Sequence, residues 1–392
     1  MFRNYSMRLP VYLDNNATTQ VDERVLNEML PFFTQHYGNA ASRTHAYGWL
    51  AEEAVEQARV NVAQLINAHP KEIVFTSGAT ESINLALKGV YEVYASKGNH
   101  IITCITEHKA VLDTCKHLEK NGADITYLPV QKDGRIDINE LEKNIRPSTI
   151  LISIMYANNE IGVIQPVQEI ASIARQYNVL FFCDAAQAVG KIPVDVIKDD
   201  ISLLSLSAHK MYGPKGVGAL YVRRRDPRVK ITAQMDGGGH ENNMRSGTLN
   251  VPAIVGLGKA CEICLDEMDA EAQRLNTLRD KFEEALLQLD NVSVNGNTEY
   301  RLPHVTNLSF EGTTANRLIM SLNKSIAVSS GSACTSALVQ PSYVLKALGC
   351  SDEGANASVR FGLGRFTTEV EIDFAINEIM KTVVKLRKES LT

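Results

Sequence analysis

The sequence predicts an α/β fold, with a large domain on a mostly parallel sheet followed by a smaller α+β domain. Three observations predict it. The first two-thirds of the chain alternates short apolar runs with helix-like stretches, and no repeat or low-complexity segment interrupts the alternation. The runs are apolar throughout, the pattern of strands covered on both faces. At 392 residues the chain is too long for one small core and suits two domains.

The strand-like runs are residues 73–76, 101–106, 150–156, 179–183 and 203–206, each short and rich in β-branched or aromatic residues. Helix patterns between them cover 49–66, 81–94, 111–120 and 167–176. A long helix pattern follows from 254 to 289, and the domain boundary falls near its start. Beyond it, strand-like 305–310 and 359–363 and helix-like 314–322 and 369–388 make the smaller domain. The division reads as 15–262 for the large domain, with 1–14 and 263–392 forming the small one.

Composition excludes several classes of function. The formal net charge is -5 and no basic block occurs, so nucleic acid is not an expected partner. No apolar run approaches the roughly 18 residues that a membrane span needs. The opening residues lack the apolar core of a secretory signal. The seven cysteines are scattered and odd in number, which fits a reducing cytoplasm better than a disulfide framework.

Chemistry-bearing residues gather at the ends of the strand-like runs. Glu107-His108, Asn158-Asn159-Glu160, Asp184 and Lys210 each follow one. In a parallel sheet these tips lie along one edge, where open α/β sheets bind ligands. The run 73–76 leads into Ser77-Gly78-Ala79-Thr80 and then a helix, a turn suited to binding an anion on free N–H groups. An acid and an amine at neighbouring strand ends, with an anion site nearby, suit pyridoxal phosphate (PLP): the acid faces the ring nitrogen and the amine takes the aldehyde. Each residue also has a plainer reading. Lys210 can cap a strand, Asp184 can cap a helix, and His108 can be a core or capping imidazole.

The segment Ser329-Ser330-Gly331-Ser332-Ala333-Cys334-Thr335-Ser336 is small and polar, so it is expected to form an exposed, mobile loop. Structural cysteines usually sit among apolar neighbours. Cys334 does not, which makes it a candidate reactive thiol. Cys261 and Cys264 fall in a helix pattern without a second pair, so they read as helix thiols and not as a zinc site. Arg360 sits within an apolar run and needs an anionic partner, either a substrate carboxylate or an internal Asp or Glu.

Taken together these segments resemble the cysteine desulfurases of the class V aminotransferase group, and the resemblance runs from Val11 almost to the last residue. It is carried by Val11-Tyr12-Leu13-Asp14-Asn15-Asn16-Ala17-Thr18-Thr19, Thr76-Ser77-Gly78-Ala79-Thr80-Glu81-Ser82, Thr106-Glu107-His108-Lys109 and Asn158-Asn159-Glu160-Ile161-Gly162. Asp184-Ala185-Ala186-Gln187, Ser207-Ala208-His209-Lys210, Arg245-Ser246-Gly247-Thr248 and the segment around Cys334 complete it. That last segment resembles the long-loop subgroup of housekeeping and nitrogen-fixation sulfur donors.

The resemblance implies a PLP-dependent transferase of fold type I with a seven-stranded sheet, working as a homodimer. It implies Lys210 as the Schiff-base lysine, Asp184 at the ring nitrogen, Gln187 at the ring hydroxyl and His108 stacked on the ring. Asn159 would lie near the hydroxyl and the substrate carboxylate, which Arg360 would hold. Ala79, Thr80, Ser207 and His209 would form the phosphate cup, with Thr248 reaching the phosphate of the other subunit's cofactor. Ala208 stands where glycine is expected, an added methyl beside that cup that the site is expected to tolerate.

Lys210, His108 and Cys334 would be the catalytic residues. L-cysteine would lose its sulfur to Cys334 as a persulfide and leave as L-alanine, and sulfur-acceptor proteins, an iron–sulfur scaffold among them, would collect it. No intrinsic metal is implied, although Cys334 could contact an iron–sulfur cluster during transfer. Housekeeping relatives continue with a scaffold-docking tail that the resemblance does not carry over. Competing readings are a selenocysteine lyase, a class V aminotransferase, which has no use for Cys334, and a non-catalytic sulfur-relay or scaffold subunit.

Overall fold

The computed structural model describes residues 8–330 and 341–390. Cys334 lies outside the described residues. The main sheet has seven strands: β1 (Ile73–Thr76), β2 (His100–Cys104), β3 (Asp124–Leu128), β4 (Thr149–Ser153), β5 (Leu180–Asp184), β6 (Leu203–Ser207) and β7 (Gly218–Val222). Their order across the sheet is β1-β7-β6-β5-β4-β2-β3. The pairs from β3 to β6 are parallel, while β7 is antiparallel to both β6 and β1. Only β7 therefore runs against the rest, and the carboxyl ends of the other strands share one edge.

Six of these strands are buried at every residue. Helices α1 (Ala46–Leu65), α2 (Ala79–Tyr94), α3 (Lys109–Glu119) and α4 (Val167–Gln176) pack around the sheet. Ile102, Ile152, Phe181 and Leu204 pack in one core with residues of α1 and α4, and Ile101, Leu151, Phe182 and Leu203 pack in another with residues of α2 and α3. A strand covered on both faces has no solvent side, which is why these runs lack alternating polar residues.

Helix α5 (Val251–Leu286) links two cores without a break. Its residues up to Cys264 belong to the core that α1 covers, and those from Leu275 onward belong to a separate one. Cys261 and Cys264 are both buried in it. That separate core is formed over an antiparallel sheet of β8 (Val292–Val294), β9 (Val305–Phe310) and β10 (Ser358–Gly362), in the order β10-β9-β8. Helices α6 (Ala315–Leu322) and α8 (Glu369–Glu389) cover it, and the short α7 (Tyr343–Ala347) precedes β10. Asp14 bridges to Gly362 at the end of β10, so the N-terminal segment joins this sheet to the site edge of the large one.

Candidate active site

The turn after β1 is framed first by backbone. β1 ends at Thr76, and α2 starts at Ala79 behind Gly78, whose φ of 146° favours glycine. No side chain caps α2, so the first-turn N–H groups of Ala79 and Thr80 are left for a ligand. A Cβ on Gly78 would stand 3.6 Å from Ser207 Oγ, which places that hydroxyl beside the turn. Gly218 permits the approach, because a Cβ there would lie 2.7 Å from Gly78 Cα. The Ala208 methyl is buried in the core, where a Cβ on Gly213 would come within 2.8 Å of it. His209 sets Nδ1 3.2 Å from Thr18 Oγ1. Burial, with help from Lys210 and Lys215, pulls its imidazole down to about 4, so it is neutral at pH 7.

The lysine sits on the short 3-10 turn Ala208–Lys210 directly after β6. Its Nζ donates to the carbonyls of Asn16 at 2.6 Å and Ala17 at 2.7 Å. Gln187 Nε2 donates to the same Asn16 carbonyl at 3.0 Å. Burial pulls the Lys210 ammonium down to about 8; Arg360 adds to the fall, and Asp184 and Asp14 oppose it. Asp184 ends β5 beside its register partner Ser205, whose hydroxyl donates to Oδ1 at 2.8 Å; the N–H of Ala186 adds a bond at 3.2 Å.

Two residues past the lysine, Tyr212 is fully buried at a φ of 64°. The Lys191 ammonium stands 3.9 Å and the Arg365 guanidinium carbon 4.2 Å from its ring centroid, and Arg365 N–H donates to its hydroxyl at 2.6 Å. This fixes the turn that carries Lys210.

Arg360 on β10 faces the same edge. One NH donates to the Asn159 carbonyl at 2.9 Å; the other reaches Asp14 Oδ1 at 2.7 Å and Ser329 Oγ at 2.9 Å. The internal ion pair that the sequence left open is therefore present. Asn16 Nδ2 donates to the Asn159 carbonyl at 3.3 Å. Asn16 Oδ1, Asn159 Oδ1 and Arg360 Nε are buried without a partner. Buried orphans of this kind mark a place where a polar group belongs.

His108 is exposed and caps α3, its Nδ1 accepting the N–H of Ala110 at 3.1 Å. Thr248 is exposed in the loop before α5 and makes none of the contacts above. Sequence reasoning gave no role to Asn16, Asp14, Ser205 or Tyr212. The first two carried a signal, because a polar run follows the buried Val11 and Leu13 directly.

An uncapped helix start, an amine at about 8, a fixed carboxylate and orphaned amide oxygens together suit PLP. The architecture and this donor set define a PLP-dependent enzyme of fold type I. The family model for aminotransferase class-V matches residues 11–374, and the chain belongs to that family. It is 57% identical to the cysteine desulfurase IscS of Anaeromyxobacter dehalogenans, covering 98% of this chain and 95% of the relative. Identity to IscS of Photorhabdus laumondii is 55%, with the same coverage. A solved NifS-like protein superposes with a TM-score of 0.90 at 40% identity, covering 96% of this chain and 100% of that one. Another solved structure, SspA in complex with cysteine, gives a TM-score of 0.81 at 37% identity, covering 91% and 100%. The chain is a PLP-dependent cysteine desulfurase. No helix among the described residues is long and apolar enough to cross a membrane.

Proposed function

We propose that the residues gathered at this edge convert L-cysteine to L-alanine and pass its sulfur to Cys334, from which acceptor proteins collect it. The observation that supports this most is the convergence of Lys210, Gln187 and Arg360 on the paired segments Asn16-Ala17 and Asn159. An amine, an amide donor and a guanidinium held this close match an amino-acid substrate on PLP.

When bound, PLP supplies the electron sink that labilises bonds at the substrate α-carbon. Ala79, Thr80, Ser207 and His209 would hold its phosphate, Asp184 its ring nitrogen, Gln187 its hydroxyl and Lys210 its aldehyde group. Arg360 holds the substrate carboxylate beside Asn159, and Asp14 fixes the guanidinium. An amine titrating near 8 can take and return a proton at neutral pH, which suits Lys210 to the α-proton. His108, at the exposed start of α3, would cover the ring and supply the second proton.

The bond between carbon and sulfur in the substrate breaks as sulfur joins Cys334 Sγ. Carbon takes a proton in its place, so a thiol and cysteine give a persulfide and alanine without an outside oxidant.

The enzyme works as a homodimer in which Thr248 reaches the partner's phosphate site. Supporting this, Leu26, Leu30, Phe33, Tyr37 and Trp49 leave large apolar surface exposed near the start of the chain. The large domain spans 15–262, and 1–14 with 263–392 form the small one. The acceptors include iron–sulfur scaffold proteins, and the setting is cytoplasmic, in keeping with seven scattered cysteines.

Incubation with L-cysteine and a reductant tests the reading. Sulfide and alanine should form in equal amounts, and Cys334→Ser should keep bound PLP while sulfide release is lost. Full sulfide release by that variant would remove Cys334 from the reaction.

A further inference from the structure

Glu107 is a buried carboxyl that the mechanism leaves unused. It follows β2 and is 1% exposed, while its neighbour His108 faces solvent. Its Oε1 accepts the N–H of Met155, and its Oε2 is buried without a partner. The Glu107 carbonyl accepts the hydroxyl of Tyr343 at 2.7 Å, so backbone and side chain are both held.

The titratable groups facing the carboxyl are Asp184 and Cys183 on β5, Cys104 on β2, Cys115 on α3 and Tyr343 on α7. Every one is neutral or negative. Among the described residues no ion pair includes Glu107. A buried charge needs a partner or several hydrogen bonds, and this carboxyl has a single backbone donor. Burial, and then the charge of Asp184, push its pKa well above the usual carboxylate range.

We propose that Glu107 carries its proton at neutral pH and acts as a positioning residue, leaving Asp184 as the one charged carboxylate at the ring-nitrogen position. The inference rests on the assignment of Asp184 to that position. Burial with a single backbone donor is the larger reason, and repulsion from a charged Asp184 adds to it. Asp184 has the Ser205 hydroxyl and the Ala186 N–H as donors, against one N–H for Glu107. The neutral side chain ties the turn before His108 to the chain after β4, and so sets where that imidazole starts.

Infrared difference spectra of the holoenzyme at pH 7 test the proton directly. Wild type should show the carbonyl stretch of a protonated carboxyl that shifts on carbon-13 labelling of glutamate. Glu107→Gln should lose it and Asp184→Asn should keep it. Glu107→Gln should also leave the pH midpoint of the bound cofactor's visible band in place, because one neutral group replaces another. A midpoint lowered by about one unit or more would show that a negative charge had been removed. That result, or a label-insensitive spectrum, or loss of the band in Asp184→Asn, would overturn the proposal. If Glu107→Gln does not fold, the labelled wild type is read against Glu160→Gln, the other buried glutamate whose burial raises its pKa, and that variant should keep the band. Normal cofactor absorption and turnover in Asp184→Asn would instead count against the Asp184 assignment, leaving the glutamate band as a separate result.

Discussion

Arg360 and Asp14 form an ion pair at 2.7 Å across the small sheet and the N-terminal segment, at the spot where a substrate carboxylate would arrive. The aspartate pins the guanidinium in place, and the incoming carboxylate shares its donors with the Asn159 carbonyl and Ser329. Arg360→Gln should raise KM for cysteine about 10- to 100-fold, the worth of roughly 1.5–3 kcal/mol from a charge-assisted contact. Steady-state kinetics check this, and an unchanged KM would place the carboxylate elsewhere.

Lys210 should leave a pH signature on the stability of the apoprotein. Its folded pKa of about 8 lies below the unfolded value near 10.4. Below pH 8 both states are protonated and the full burial cost is present. Between 8 and 10.4 the unfolded state binds more protons, so stability rises with pH by up to about 1.4 kcal/mol per unit, about 3 kcal/mol in all. Urea unfolding of wild type and Lys210→Met across that window reads the difference. Parallel slopes would mean that the folded amine titrates normally.

Gly218 is needed because two backbones meet over it. A Cβ there would lie 2.4 Å from the Leu206 carbonyl oxygen and 2.7 Å from Gly78 Cα. Gly218→Ala should cost about 1–3 kcal/mol of stability and weaken PLP retention, since the turn beside Ser207 must shift. Dialysis followed by absorbance gives retention, and thermal melts give stability.

Ser342 ties α7 to the large sheet. Its hydroxyl caps the helix and donates to the buried carboxylate of Glu160, beside Asn159. Ser342→Ala removes a cap and leaves that carboxylate short of a donor, for a loss of about 1–3 kcal/mol. Calorimetry checks the value, and a neutral result would show that solvent replaces the hydroxyl.

The parallel heart of the sheet was legible because its strands are buried on both faces. β3 was not: it is an edge strand whose Asp124, Thr126 and Tyr127 leave no continuous apolar run. β7 opens on glycine in a segment that reads as loop, so its antiparallel insertion was not foreseen. The run expected over 101–106 leaves the ladder at Cys104. Asn158 Nδ2 bonds the Thr106 carbonyl at 3.0 Å, and the Thr106 hydroxyl meets Cys104 Sγ at 2.9 Å, bending the chain. In the site, residues on strand ends could be picked out. Ser205 could not, because it acts through its register partner, and the polar run around Asn16 gave no hint that its carbonyl would be the contact, which only the folded chain brings into reach.

The reversed seventh strand also bears on when the protein can acquire its coenzyme. Gly78 emerges from the ribosome long before Gly218, yet the anion cradle exists only once the later glycine is seated against the earlier one. An emerging polypeptide cut off ahead of Val222 therefore has half a cradle and nothing to close it. Coenzyme loading is a late event in biogenesis, and it reports that the large sheet has finished assembling.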